Sequence, residues 1–242
     1  MLLLFFIMRY RFPCDRLSFR ELSFCVILAP MTKLISLYIG LVTLLPLTML
    51  AQGPIKVTSL DKTKLPAGVK YTGKLKNAIR WTDKLGDNIL VTAETGAYRN
   101  PKFKHENDGS DAELYAGHYI VGDSLQLTWK VYDFINDCNL DFTAAFIKNT
   151  LQVTDLNSDG IGEVWIMYKT ACQGDVSPLS MKIIMYEGTQ KFAMRGHNKV
   201  RVAETKYIGG DYKFDEAFNA APKAFRDFAL QLWNKNIIQD WE

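Results

Sequence analysis

Side chains that usually carry catalysis or hold transition metals are sparse in this chain of 242 residues. Of its four cysteines only Cys138 and Cys172 lie beyond residue 51, and neither has the close spacing of a cysteine–zinc site. The three histidines, His105, His118 and His197, are far apart, and none stands in a motif with a nucleophile. A Gly-x-Ser-x-Gly elbow is missing; Gly174-Asp175-Val176-Ser177-Pro178 reads instead as a turn capped by Asp175. Net charge is also lacking where a polyanion would need it. Residues 1–51 hold five basic and two acidic residues out of totals of 29 and 26, so 24 of each sign remain. That neutral remainder argues against an electrostatic nucleic-acid binder. Internal repeats and low-complexity tracts are absent, and no linker divides the chain after residue 52. With 48% hydrophobic and 12% aromatic residues the chain can bury a core, which excludes disorder throughout.

The N-terminal stretch reads as an export signal. Met31-Thr32-Lys33 gives a short basic start, Leu34 to Leu50 an uncharged apolar run, and Ala51 a small residue before polar Gln52-Gly53-Pro54. Cleavage after Ala51 is expected, leaving Gln52 first. The competing reading is a single membrane anchor, since the run approaches the roughly 20 residues that span a bilayer. Residues 1–30 hold a second apolar start in front of the first, with no physical use. They read as an over-long gene start, with an unusually long leader as the alternative.

From residue 52 onward the pattern is that of one β-rich domain. Leu75, Ile79 and Trp81 alternate with Lys74, Lys76 and Arg80, then Lys84 to Asn88 supplies turn residues and Ile89 to Thr95 returns, as in a β-hairpin. Polar residues 97–112 read as the longest loop. Tyr115–Val121 and the alternating Leu125–Val131 are strands, and Phe142–Ile147 and Leu151–Thr154 read as two strands around a tight turn at Lys148-Asn149. Val164–Tyr168 and Met181–Tyr186 are apolar on both faces, which places them inside a covered sheet. Phe192–Met194 and Val200–Val202 follow. Only Phe218, Ala221, Phe225, Phe228, Ala229, Leu232 and Trp233 show helical spacing, as one amphipathic helix in which Pro222 is acceptable as a first-turn residue. The fold class is therefore α+β, mainly β, with antiparallel sheets and a C-terminal amphipathic helix.

Between two apolar strands lies Asp155-Leu156-Asn157-Ser158-Asp159-Gly160-Ile161-Gly162-Glu163. Oxygen-bearing side chains at alternate positions can curl around one hard cation, and Gly160 stands where the backbone must turn sharply. The expected calcium ligands are Asp155, Asn157, Asp159, the carbonyl of Ile161, and Glu163, direct or through water. Ile166 occupies the position where an EF-hand has its bidentate glutamate, and the flanks are strands. A hydrogen-bonded Asx turn without metal is the competing account. An isolated cysteine pair in an oxidising envelope favours a Cys138–Cys172 disulfide over two free thiols. The cysteines meet if 142–154 is in effect one strand, but fall at opposite ends of a simple meander if 148–149 is a true hairpin turn. Asp133, Asp137, Asp141 and Asp175 are carboxylates of no specific spacing, and only a pair facing one cleft would suggest a glycosidase.

The run Thr154 to Glu163, followed by Cys172-x-Gly174-Asp175-x-Ser177-Pro178 and by Lys191-Phe192-Ala193-Met194-Arg195-Gly196, resembles a family of exported Bacteroidetes proteins labelled surface polysaccharide biosynthesis proteins. The resemblance spans most of Leu125 to Trp233. It implies a link to envelope glycans and brings no catalytic residues with it. The expectation is an exported calcium-binding protein of the periplasm or cell surface, acting without catalysis on an envelope glycan or another envelope protein. The alternatives are an envelope glycan- or peptide-acting hydrolase and a secreted protein-binding module with a flat apolar patch.

Overall fold

The computed structural model describes residues 55–239; the leader and export signal expected over residues 1–51 lie outside them. Five strands follow one another as an antiparallel meander: β1 (Thr58–Ser59), β2 (Lys74–Asp83), β3 (Gly86–Glu94), β4 (Ser110–Val121) and β5 (Leu125–Cys138). The strands that come next are β6 (Phe142–Phe146), β7 (Gln152–Thr154), β8 (Glu163–Cys172), β9 (Ser180–Glu187) and β10 (Gln190–His197), then β11 (Lys199–Ala203), β12 (Lys206–Gly209), β13 (Tyr212–Phe214) and β14 (Ile238–Gln239). A second antiparallel sheet has the order β13-β10-β9-β8-β6, with β7 also on β8. A small third sheet runs β12-β11-β14, its last pair parallel.

Alternation along β8 and β9 explains how the layers stack. Val164, Ile166, Tyr168, Ile184 and Tyr186 face the first sheet, packing on Trp81, Leu90, Leu114, Trp129 and Val131. Trp165, Met167, Met181, Ile183 and Met185 face the other way, onto Phe218, Phe225, Ala229, Leu232 and Trp233 of the helical segment. The central strands are thus covered on both sides, as their uninterrupted apolar sequence requires. On the far side of the first sheet Ala78, Ile89, Val91 and Tyr119 are covered by Leu60, Leu65, Val69 and Tyr71 from the N-terminal segment.

Three expectations are corrected. Residues 142–154 make no hairpin at Lys148-Asn149, because β6 and β7 both pair with β8 (Phe142↔Cys172 to Phe146↔Tyr168, then Gln152↔Trp165 to Thr154↔Glu163). They are one interrupted strand, with Asn149 at φ 60° in the interruption. In a hairpin β6 would pair with β7 and not with β8, leaving Tyr168 to Cys172 of β8 without backbone partners on that side. The long loop is shorter than 97–112, since Ser110, Asp111 and Ala112 already belong to β4, where Asp111 and Ala112 are buried. The helical run is two helices, α1 (Glu216–Ala220) and α2 (Lys223–Asn236). Pro222 is the N-cap of α2 and not a first-turn residue: it lacks the N–H that would continue α1.

Candidate functional site

The Asp155–Glu163 loop joins β7 to β8 and is tied into both cores at its base. Glu163 is fully buried; both its carboxylate oxygens lie 3.0 Å from Leu156 N, and Oε2 accepts from Thr154 Oγ1 at 2.6 Å. Thr154 Oγ1 in turn accepts from the indole of Trp165 at 2.8 Å, on the helix side. Toward the first sheet, Asp83 Oδ2 accepts from Gly162 N at 3.0 Å and from the Trp81 indole at 2.9 Å. Lys84 N donates to Gly160 O at 2.9 Å, and the Lys84 ammonium donates to Asp159 O. The loop is therefore a pin between the tip of the β2–β3 hairpin and the start of β8.

Within the loop, side-chain oxygens hold backbone amides. Asp155 Oδ2 accepts from Gly160 N at 3.1 Å, Asn157 Oδ1 from Asp159 N at 3.1 Å, and Asp159 Oδ1 from Ile161 N at 2.7 Å. Ser158 and Gly160 take positive φ, 59° and 82°, which produces the tight curl. These are the bonds of an Asx turn, but an oxygen has two lone pairs, so one amide does not exhaust it as a ligand. Asp155 Oδ1 is different. It is buried without any hydrogen-bond partner, a condition shared among the described residues only by Trp233 Nε1. An orphaned carboxylate oxygen is costly, and a bound cation would relieve it.

The structure adds a carboxylate that sequence reasoning missed. Glu187 stands opposite Glu163 in the β8–β9 register, and its Oε1 accepts from Asn157 Nδ2 at 2.6 Å. Asn157 Nδ2 also bonds Asp159 Oδ2 at 3.1 Å, so one amide bridges two acids. Burial raises the Glu187 pKa first, and Asp159 adds to it. Burial likewise raises Glu163, with Asp155 adding, against the hydrogen bonds from Thr154 and Leu156. Four acids that repel one another around a curled loop are a set that one cation would neutralise. The expected ligands Asp155, Asn157, Asp159, Ile161 and Glu163 all lie on this one loop with Glu187 beside it, and the Glu163 carboxylate is engaged by Thr154 and Leu156 at the loop's base. In the side-chain positions shown, no three His, Cys, Asp or Glu among the described residues converge on one metal-sized point. The pairing of β8 with β9 brings Glu187 here, one residue beyond the apolar run Met181–Tyr186 from which the sequence reads that strand.

At the opposite end of β8, Cys138 and Cys172 form a disulfide with Cα atoms 5.9 Å apart. The one-strand reading of 142–154 is what lets them meet. Beside the disulfide lies an open cleft of about 320 Å³, lined by residues including Asp141, Phe142, Thr143, Gln173, Gly174, Asp175 and Leu179. Two of the four carboxylates of no specific spacing thus face one cleft. Asp133 instead pairs with Lys182 at 2.5 Å, and Asp137 accepts from the amides of Glu106, Asn107 and Gly109. Asp175 is held below its ordinary pKa by the Ser177 hydroxyl and amide, so it is a poor reservoir for the proton a general acid must donate.

The histidines occupy separate settings. His105 bonds buried Asp111 at 2.7 Å, and His197 sits on exposed Asp211 at 3.0 Å. His118 is buried between the rings of Trp81 and Trp129, and burial lowers its pKa to about 4. Its ring nitrogens lie 2.5 Å from Thr128 Oγ1 and 3.1 Å from Asn88 Oδ1, and the Thr128 hydroxyl in turn bonds His118 O. No family model matches the chain, and no curated protein or solved structure matches it.

Proposed function

We propose that this is an exported, calcium-binding protein of the cell envelope, serving without catalysis as a binding or assembly factor linked to surface polysaccharide. The observation that carries the calcium reading is Asp155 Oδ1, buried and unpartnered in a loop ringed by Asp159, Glu163 and Glu187. The Cys138–Cys172 bond suits an oxidising compartment and so supports export. The polysaccharide link rests on the resemblance of the 154–163, 172–178 and 191–196 motifs, and the partner is an envelope glycan or another envelope protein. A hydrolase is the second reading, favoured by Asp141 and Asp175 sharing a cleft; the depressed pKa of Asp175 counts against it.

Calcium acts first on stability in this reading, because it relieves repulsion in a pin between two sheets. A site without a bidentate twelfth ligand is expected to bind on the order of 10⁻⁴ to 10⁻³ M. Melting the protein in chelator and in millimolar calcium tests it: equal midpoints would remove the metal and leave the Asx turn. Deleting the gene and profiling surface polysaccharide tests the role, and an unchanged profile would end it.

A further inference from the structure

We propose that the cleft beside the disulfide is a subsite for an uncharged sugar residue, gripped through its hydroxyls by the carboxylates of Asp141 and Asp175. This rests on the glycan reading above and gives it a place. The cleft, at about 320 Å³, falls at the lower end of the range of small-ligand sites. Its wall joins the start of β6 (Phe142, Thr143) to the end of β8 (Ala171) and the 173–179 turn. The disulfide at Cys172 and the bond from Gln173 N to Asp141 O at 2.9 Å fix these three segments to one another. A ligand would thus meet a pre-formed site, which lowers the cost of ordering it.

The lining sets the chemistry. Asp141 makes no side-chain hydrogen bond or ion pair among the described residues, so its carboxylate is available. Asp175 is held in position by Ser177 N, which donates to its Oδ1 at 3.0 Å, and keeps further acceptor capacity. Gln173 Nε2 donates to Ser177 O at 2.7 Å and stiffens the same turn. No lysine, arginine or histidine lines the cleft. Two negative acceptors without a cation, of which Asp175 is held in place by Ser177, repel phosphate, sulfate and uronate groups and form charge-assisted bonds with hydroxyl donors. Phe142, Val176 and Leu179 supply apolar surface for the C–H face of a sugar ring, and Val176 stands exposed at the rim.

Gly174 offers a way to fill the cleft without disturbing the fold. A Cβ built there meets only Leu140, with Cδ2 at 3.5 Å, an ordinary contact. Saturation-transfer NMR on the full mature protein would use maltotriose, cellotriose and mannotriose as uncharged probes, trigalacturonate as the acidic one, and a lysine-rich peptide as the cationic one. The wild type is expected to bind at least one uncharged trisaccharide, and Gly174→Leu and Asp141→Asn to weaken it tenfold or more while retaining the wild-type melting midpoint. Equal binding by wild type and both folded variants would overturn the site and leave the glycan reading standing. Preference for trigalacturonate or for the peptide would overturn the ligand class. Failure to bind any uncharged trisaccharide would overturn the proposal, and the deletion profile judges the wider reading independently.

Discussion

The two ends of β8 do the same mechanical work by different means. At the Cys172 end a covalent bond ties β8 in the second sheet to β5 in the first. At the Glu163 end the tie is a web of hydrogen bonds through Asp83, Lys84, Thr154 and Glu163, beside a crowd of acids. The covalent end holds whatever the ionic conditions, so long as it stays oxidised. The polar end is conditional: its strength depends on how its buried charge is balanced. A sandwich joined only by apolar contacts between sheets would have neither the permanence of the first nor the responsiveness of the second.

Breaking the covalent end should have the largest effect. Its cysteines are 34 residues apart in sequence. A loop of that size corresponds to roughly 3–4 kcal/mol in the chain-entropy account. Urea unfolding of the Cys138→Ser/Cys172→Ser variant should show that loss equally in chelator and in calcium; a loss that depended on calcium would mean the two ends are coupled.

Acid should single out the polar end. His118 bonds Asn88, which bonds Asp83, and its folded pKa of about 4 lies below the ordinary 6.5. The unfolded chain then binds the extra proton between those values, so stability falls as pH drops from about 6.5 to about 4. A gap of that size corresponds to roughly 3 kcal/mol. Glu163 and Glu187, with raised pKa values, act with the opposite sign, gaining stability as pH falls toward the ordinary 4.5. Calcium would hold both ionised, so the comparison belongs in calcium. There His118→Gln should flatten the pH dependence of unfolding over that window, and an unchanged slope would remove His118 as its source.

Calcium itself should contribute somewhat less, about 2.7 kcal/mol at one hundred times its dissociation constant and smaller at lower excess. Asp155→Ala or Asp159→Ala should abolish the calcium-dependent shift in melting, and Glu187→Gln should reduce it. A shift that survived Asp155→Ala would place the metal elsewhere. The smallest effect is local. Ser158 holds φ 59°, which costs an L-residue roughly 1–2 kcal/mol. Ser158→Gly relieves that strain but adds unfolded-state entropy, so a net gain below about 1 kcal/mol is expected by thermal melting.

Much of this was written in the alternation of side chains. β2 and β5 are read directly from apolar residues at alternate positions, because a strand with one face on a core must alternate, and β3 from the turn residues that send the chain back at Ile89. The two-faced runs at Val164–Tyr168 and Met181–Tyr186 announced central strands, and Phe218 to Trp233 a helix. The loop could be read too, since Asp155, Asn157, Asp159 and Gly160 are local to one curl of backbone. What a single strand shows is only its own faces. Which strands lie beside each other is settled by satisfying the backbone of all of them together, and that made 142–154 one interrupted strand on β8. That pairing lets Cys138 meet Cys172, and the pairing of β9 with β8 brings Glu187 to Asn157.

By itself, then, the sequence determined that the chain is β-rich with a C-terminal helix and carries an acidic, oxygen-rich loop. It also places only two cysteines, Cys138 and Cys172, beyond residue 51. Those are properties of neighbours along the chain, where spacing translates directly into geometry. The tertiary structure decided that β8 is pinned at both ends, that Glu187 completes the acid ring, and that Asp141 and Asp175 line one cleft. Residues 34 positions apart, like the two cysteines, come together only through strand register. Register is a collective outcome of buried hydrogen bonds and core packing, and no single stretch of sequence contains it.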